Sequence, residues 1–359
     1  MAKSKRIIGL MSGTSLDGLD VCCADFSCLN GVYSFELVAT NTFKYSDTWV
    51  EKLRSAIKLD AAGIQALEKD FAMLMSQFVK IFSLENGLNE SIDFVASHGH
   101  TVFHEPQKQI TVQVGDGQIM ANELSVKVIN DFRIGDVLLG GQGAPLVPIG
   151  DKLLFAEYQA CLNLGGISNI SFQKEGERIA FDIGPANIPL NYIVKEKYNL
   201  NYDKDGAIAQ SGSLIPELYQ ELSALEFYNL SPPKSLGFEW MDANIFPLVE
   251  KYKAHPTANV LNTIVRHEVF QIHKVCAKNN IQNVLVTGGG AYNLFFMKCL
   301  KENTNAEFVI PDIKLVDFKE ALIFGFLGFL KDRGEDNILS SVTGASSDSC
   351  GGKIHIPST

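Results

Sequence analysis

No apolar run in the sequence is long enough to span a bilayer; the longest, Ala321 to Leu330, is half of what a membrane helix needs. No C-x-x-C pair occurs either. The seven cysteines, Cys22, Cys23, Cys28, Cys161, Cys276, Cys299 and Cys350, are odd in number and mostly sit among apolar residues. That excludes a disulfide framework or a cysteine zinc site and predicts reduced core thiols. Positive charge is scarce: 31 Lys and Arg against 41 Asp and Glu leave −10, the wrong sign for tracking a phosphate backbone. A small anion held by backbone N–H groups and a metal stays compatible with that balance. The basic start, Lys3, Lys5 and Arg6, precedes too short an apolar run for a signal peptide, so a cytoplasmic protein with no nucleic-acid or membrane partner is expected. The common nucleotide signatures are missing as well. There is no G-x-x-x-x-G-K-[ST], no G-x-G-x-x-G opening a helix, and no His-Arg-Asp or Asp-Phe-Gly of protein kinases.

What is present is a chain of 359 residues, 46% hydrophobic, more than one core usually fills, so two lobes are expected. Arg6–Met11 and Leu19–Ser27 read as strands joined by a Gly/Ser/Asp turn, with a further strand over Tyr33–Phe43. Ile64, Leu67, Phe71, Leu74, Met75, Phe78 and Phe82 recur at helical spacing and predict a helix over Ala61–Leu84. Ile92–Ser97 reads as a buried strand ending at His98-Gly99-His100. Strands over Ala160–Leu164, Ser168–Gln173 and Arg178–Asp182 echo the N-terminal block, which suggests a repeated architecture without sequence identity. A helix over Thr257–Lys278, a strand over Asn283–Thr287, a helix over Ala291–Lys301 and an irregular Ser341–Ile356 complete the reading.

Three glycine-rich turns follow three apolar strands: Gly9 to Asp20, Gly165-Gly166, and Gly288-Gly289-Gly290. Such turns let backbone N–H groups approach phosphate oxygens with no side chain in the way. One alone is usually just a turn. Three, with aspartates beside two of them, point to a nucleotide site.

The stretch Gly9-Leu10-Met11-Ser12-Gly13-Thr14-Ser15-Leu16-Asp17-Gly18-Leu19-Asp20 resembles the signature of the anhydro-N-acetylmuramic acid kinase family. The resemblance extends to Ser97-His98-Gly99-His100-Thr101, Asp131-Phe132-Arg133 and Gly140-Gly141-Gln142-Gly143-Ala144-Pro145-Leu146-Val147-Pro148. It continues through Asn163-Leu164-Gly165-Gly166-Ile167-Ser168-Asn169, Pro232-Pro233-Lys234-Ser235, Gly288-Gly289-Gly290-Ala291 and Val342-Thr343-Gly344-Ala345. Differences from the family pattern fall at His100, Phe103, Ile149-Gly150-Asp151, Ile183, Ala186 and Asn191. At Ala186 a Cβ stands where glycine would permit a positive φ.

The resemblance implies an α/β, two-lobed actin-like ATPase fold of the sugar kinase/Hsp70/actin type, with ATP and Mg²⁺ in the interlobe cleft and a homodimer. Residues 1–131 with 338–359 would form one lobe and residues 132–337 the other. The implied reaction opens the anhydro bridge of 1,6-anhydro-N-acetylmuramic acid with water and phosphorylates O6, a step in peptidoglycan recycling. Glycoside cleavage usually takes two carboxylates. Here the leaving O6 is captured by a phosphoryl group, so one base suffices. By resemblance it is Asp182, a residue type that by itself also suits a turn at a strand end.

The same resemblance places Gly13, Thr14, Ser15, Leu16, Asp17, Gly18, Leu19 and Asp20 around the phosphates, with Gly165 and Gly184. Gly288, Gly289 and Gly290 would lie against adenosine. Asp17 and Asp20 face a hydrated Mg²⁺ or else serve as Asx-turn residues. Arg133 suits the lactyl carboxylate of the sugar, or an ion pair with Asp131 or Asp136. Glu320 resembles a sugar-binding glutamate, or is a helix-start acid favoured by the macrodipole. A metal reading of His98, His100 and His104 is the weaker one for want of a fourth ligand. His98 is expected near the cleft and the sugar, the other two at the surface or in loops. Two alternatives stand beside the lead: a kinase of the same fold acting on another amino or anhydro sugar, and a non-catalytic Hsp70- or actin-like ATP-binding module.

Overall fold

A computed structural model describes residues 4–88 and 91–358, so Lys3 lies outside the described part. The strands are β1 (Lys5–Ser12), β2 (Gly18–Leu29), β3 (Val32–Lys44), β4 (Phe94–Glu105), β5 (Ile110–Val114) and β6 (Lys127–Asn130), then β7 (Ala160–Leu164), β8 (Ile167–Lys174), β9 (Glu177–Pro185), β10 (Asn283–Thr287), β11 (Glu307–Val309) and β12 (Lys353–His355). Two compact units result. One holds the chain up to Leu154 and again from Phe318 onward; the other is Phe155–Asp317.

In the first unit the sheet order is β12-β6-β4-β1-β2-β3, with β5 on β4. β1 pairs antiparallel with β2 and parallel with β4. Ile7, Ile8 and Leu10 are fully buried, so β1 is apolar on both faces. Gly9 among them admits the helix Ile313–Arg333, since a Cβ there would fall 1.9 Å from the carbonyl oxygen of Ala321. The helix Ala61–Glu85, capped by Asp60 accepting from the Gly63 N–H at 2.8 Å, sends Phe71, Met75 and Phe82 into a core shared with Ile8 and Leu10.

The second unit has the order β11-β10-β7-β8-β9, with β7, β8 and β9 antiparallel and β10 parallel to both β7 and β11. Strand for strand this repeats the β6-β4-β1-β2-β3 plan of the first unit. The helix Thr257–Lys278 covers this sheet with Leu261, Val265 and Ile272.

Several expectations change. Residues 132–154 and 318–337 belong to the first unit. Thr343 Oγ1 donates to Asp136, the Gln142 N–H to Thr343 O, and the helix Ile313–Arg333 packs on β1 and β4 through Gly9 and Gly328. β4 does not stop at Ser97 but continues through His98 to Glu105, and His100 pairs with Ser12 of β1 on one side and with Val114 of β5 on the other. Ser341–Ile356 is partly regular: a helical turn spans Ser340–Thr343, and β12 pairs antiparallel with β6. The helix expected from Ala291 begins at Leu294, where Asn293 accepts the Phe296 N–H. The cysteines are free thiols, with Cys22, Cys23, Cys161, Cys276 and Cys299 buried and Cys28 and Cys350 half-buried. Among the described residues, no helix is long and apolar enough to cross a membrane.

Candidate active site

In the first unit the β1–β2 turn carries the opening motif. Thr14, Ser15 and Asp17 are exposed at its tip, and Gly13 and Leu16 are half-buried, with Leu16 at φ 61°. Nothing but Ser15 crowds the place of a Cβ at Gly13, so this glycine leaves open room for a ligand. Gly18 and Leu19 lie inside β2: Leu19 is fully buried, and a Cβ on Gly18 would sit 2.5 Å from Phe43 O. Those two shape the sheet beneath the turn. Asp20 is half-buried and its Oδ1 accepts from Thr42 Oγ1 at 2.6 Å.

Behind this turn Tyr45 Oη donates to Ser12 Oγ at 2.8 Å, and Ser12 Oγ lies 2.9 Å from His100 Nδ1. His100 is therefore a buried support of the motif, not the surface or loop residue expected. Burial lowers its pKa, and the neutral ring can accept from Ser12. His104 is exposed on β4, bonded through Nδ1 to Thr111. No group of three or more His, Cys, Asp or Glu positioned to hold a metal occurs among the described residues.

Arg133 forms neither of the ion pairs considered for it. Its Nε and Nη2 lie 3.0 and 2.9 Å from His98 Nε2, and Nη1 donates to Gly143 O at 2.7 Å. Asp136 instead accepts from Thr343 Oγ1 and the Gly143 N–H. Desolvation brings the guanidinium down to about 10, with Glu320 partly offsetting it. His98, buried and pushed well below its ordinary value by desolvation and then by Arg133, is a neutral acceptor. Glu320 keeps an open surface, yet the protein on its other sides desolvates it and Asp20 repels its charge; together they raise its carboxyl.

In the second unit the Gly165-Gly166 turn and Gly288–Gly290 come together. Asn187 Nδ2 bridges to Leu164 O and Gly165 O, and a Cβ on Gly290 would meet Leu164 at 2.7 Å. Gly289 stays exposed with nothing near its Cβ position. Gly184 does not offer its N–H to a ligand. That N–H donates to Ser168 Oγ at 3.2 Å, and the side-chain place is filled by Glu268.

Asp182 is not at a strand end, since β9 runs on to Pro185. It is half-buried, its backbone N–H donates to Lys234 O at 3.0 Å, and its Oδ2 accepts the Leu236 N–H at 2.7 Å. Desolvation raises its carboxyl to about 6 against the pull of that N–H and of Lys234. A carboxylate of that basicity, ionised at neutral pH, suits proton abstraction. Ala186 has φ −90°, so its backbone makes no demand for glycine. Ile183 is a core residue.

Lys234 and Glu268 were not anticipated as site residues. Lys234 lies in the stretch Pro232-Pro233-Lys234-Ser235, whose residue types alone assign it no role. Glu268 could have been found as a carboxylate placed in the apolar register Ile264, Glu268, Ile272 of its helix.

The model of the family described as anhydro-N-acetylmuramic acid kinase matches residues 5–357. A protein of that name from Francisella tularensis subsp. novicida is 32% identical over 99% of this chain and all of its own length. Another from Methylorubrum populi is 34% identical over 98% of this chain and 99% of its own. Among solved structures, the activator of the 2-hydroxyisocaproyl-CoA dehydratase from Clostridium difficile with bound ADPNP is similar at a TM-score of 0.46. It is 12% identical and covers 91% of this chain and 97% of that one.

Proposed function

The chain belongs to the anhydro-N-acetylmuramic acid kinase family, and from that premise we propose that Asp182 is the general base of a hydrolytic sugar phosphorylation. The observation that carries this role is the raised, half-buried carboxyl of Asp182, aimed by the Leu236 N–H. Asp182 takes a proton from water adding at C1 of 1,6-anhydro-N-acetylmuramic acid. The C1–O6 bond breaks with its electron pair on O6, O6 bonds to the terminal phosphorus of ATP, and ADP departs. ATP is here a substrate. The product is N-acetylmuramic acid 6-phosphate.

Arg133 would receive the lactyl carboxylate of the sugar. Its guanidinium is desolvated, uses three donor atoms on neutral partners, and makes no ion pair among the described residues. A desolvated cation that feels a carboxylate, Glu320, without pairing with it favours an anionic ligand. His98 acts through it, holding the guanidinium plane in place. Glu320 would accept from sugar hydroxyls. Thr14, Ser15 and the backbone of Gly13 would donate to phosphate, and Gly289 with its neighbours would border adenosine.

A hydrated Mg²⁺ fits the acidic pair Asp20 and Glu320, an all-oxygen donor set in which Asp20 raises the cost of ionising Glu320. Asp20 is the residue that would hold it, with Asp17 at the turn tip, and the ion would supply neutralisation of phosphate charge. On the family resemblance, we also place the enzyme in the cytoplasm, in peptidoglycan recycling and as a homodimer.

The test is incubation with Mg·ATP and 1,6-anhydro-N-acetylmuramic acid, read by mass spectrometry. A product heavier by one phosphoryl group and one water is expected. Phosphorylation without water addition, or no turnover of any anhydro or amino sugar, overturns the reaction proposed.

A further inference from the structure

We infer that Glu268 is a positioning residue of the reaction: acting through Ser168, it holds the bulge in β9 that presents Asp182. This rests on the reading of Asp182 as the base.

The register of β8 and β9 carries the first part. Asn169 stands opposite Asp182 and Ser168 opposite Gly184, so Ile183 is an extra residue on β9. Such a bulge re-aims the neighbouring side chain and must be held by something other than the ladder. Here the holder is a side-chain network. Ser168 Oγ lies 3.1 Å from Gly184 O and 3.2 Å from the Gly184 N–H nitrogen, and Glu268 Oε1 is in hydrogen-bond contact with the same hydroxyl. Glu268 also fits the bulge by shape, since a Cβ on Gly184 would fall 2.3 Å from its Oε2. Ser168 is fully buried and Glu268 is 2% exposed.

Proton accounting fixes the state of the network. Ser168 has one O–H to give. If that hydrogen goes to Gly184 O, the Glu268 contact needs a hydrogen from Glu268 itself. The second carboxyl oxygen, Oε2, is buried with no hydrogen-bond partner, which an ionised carboxylate could ill tolerate. The groups facing Glu268 are Lys234 from the 232–236 segment and the Tyr228 hydroxyl, and neither forms an ion pair with it. Burial raises Glu268 to about 8, opposed by Ser168 and Lys234, so at neutral pH it is a neutral donor. Ionisation would draw the Ser168 hydrogen off Gly184 O and slacken the bulge under Asp182.

The experiment compares Glu268→Ala, Glu268→Gln and wild type by kcat, KM for ATP and pH profile, with circular dichroism as the check on folding. Displacement of a base by about 1 Å can cost about 10²-fold, so Glu268→Ala is expected to lower kcat by up to roughly that factor with KM for ATP unchanged. Glu268→Gln, which keeps an N–H donor and cannot ionise, should recover most of that loss. It should also abolish the fall in kcat above pH about 8 that is expected of wild type. An alkaline limb in Glu268→Gln identical to wild type overturns the inference, even if Glu268→Ala fails to fold. Full kcat in a folded Glu268→Ala does the same. Asp182→Asn separates the two readings: retained turnover there removes the base itself, whatever Glu268 does.

Discussion

The Leu236 N–H donates to Oδ2 of Asp182 at 2.7 Å, across 54 residues of chain. Among the described residues that contact is the one hydrogen bond holding the carboxylate from outside its own strand, and it lowers a pKa that burial alone would push higher. The loop 232–236 thus aims the carboxylate proposed as the base and tempers the rise in pKa that burial causes.

Asp182→Asn is expected to keep nucleotide affinity and lose turnover by about 10²–10⁴-fold, the usual worth of a general base. Isothermal calorimetry with a non-hydrolysable ATP analogue and product mass spectrometry check the two halves. Turnover within a fewfold of wild type would move the base elsewhere.

The pH profile follows from the same residue. The Asp182 carboxyl is raised from 3.8 to about 6 by desolvation, and only its ionised form accepts a proton. Accordingly kcat should fall as pH drops through about 6. Stability moves the other way: the folded state binds this proton more tightly, so the contribution is present at acid pH and is lost between about 4 and 6. Chemical denaturation of wild type and Asp182→Asn across that interval should show the difference.

Arg133→Lys cannot reproduce the planar contacts with His98 and Gly143 O. The expected result is a rise in KM for the anhydro sugar of about 10- to 100-fold, the worth of one charge-assisted bond. KM for ATP should barely move. An equal rise for a sugar analogue lacking the carboxylate would show that the lactyl group is not what Arg133 reads.

Asp136 is fully buried and accepts from Thr343 Oγ1 and the Gly143 N–H, both at 2.7 Å. Asp136→Ala leaves two donors unpaired, and a loss of about 2 kcal/mol in denaturant unfolding is expected. Thr343→Val, which removes one donor, should cost less. Equal stability in both variants would contradict the assignment.

The fold was largely readable from periodicity. Ala61–Leu84 and Thr257–Lys278 match observed helices almost to the residue, because a 3.6-residue stripe of large apolar side chains has few alternatives. What periodicity could not reach were contacts made by small or polar residues. β12 is three residues long and depends on β6 for its existence. His100 looked like a loop residue because nothing local says that Ser12, 88 positions away, is its partner. The glycines of the opening stretch looked alike, yet Gly9 and Gly18 serve packing and only Gly13 leaves room beside the turn. Asp182 was found through resemblance. Its pKa depends on Lys234 and Leu236, whose approach is tertiary.

The first unit is assembled from both ends of the chain, with β12 completing a sheet begun by β1, whereas the second is one continuous segment. During synthesis the segment Phe155–Asp317 is therefore whole before the unit that starts first can close its edge. The half with the β1–β2 turn must wait for residues 353–355, while the half with Asp182 can already be folded.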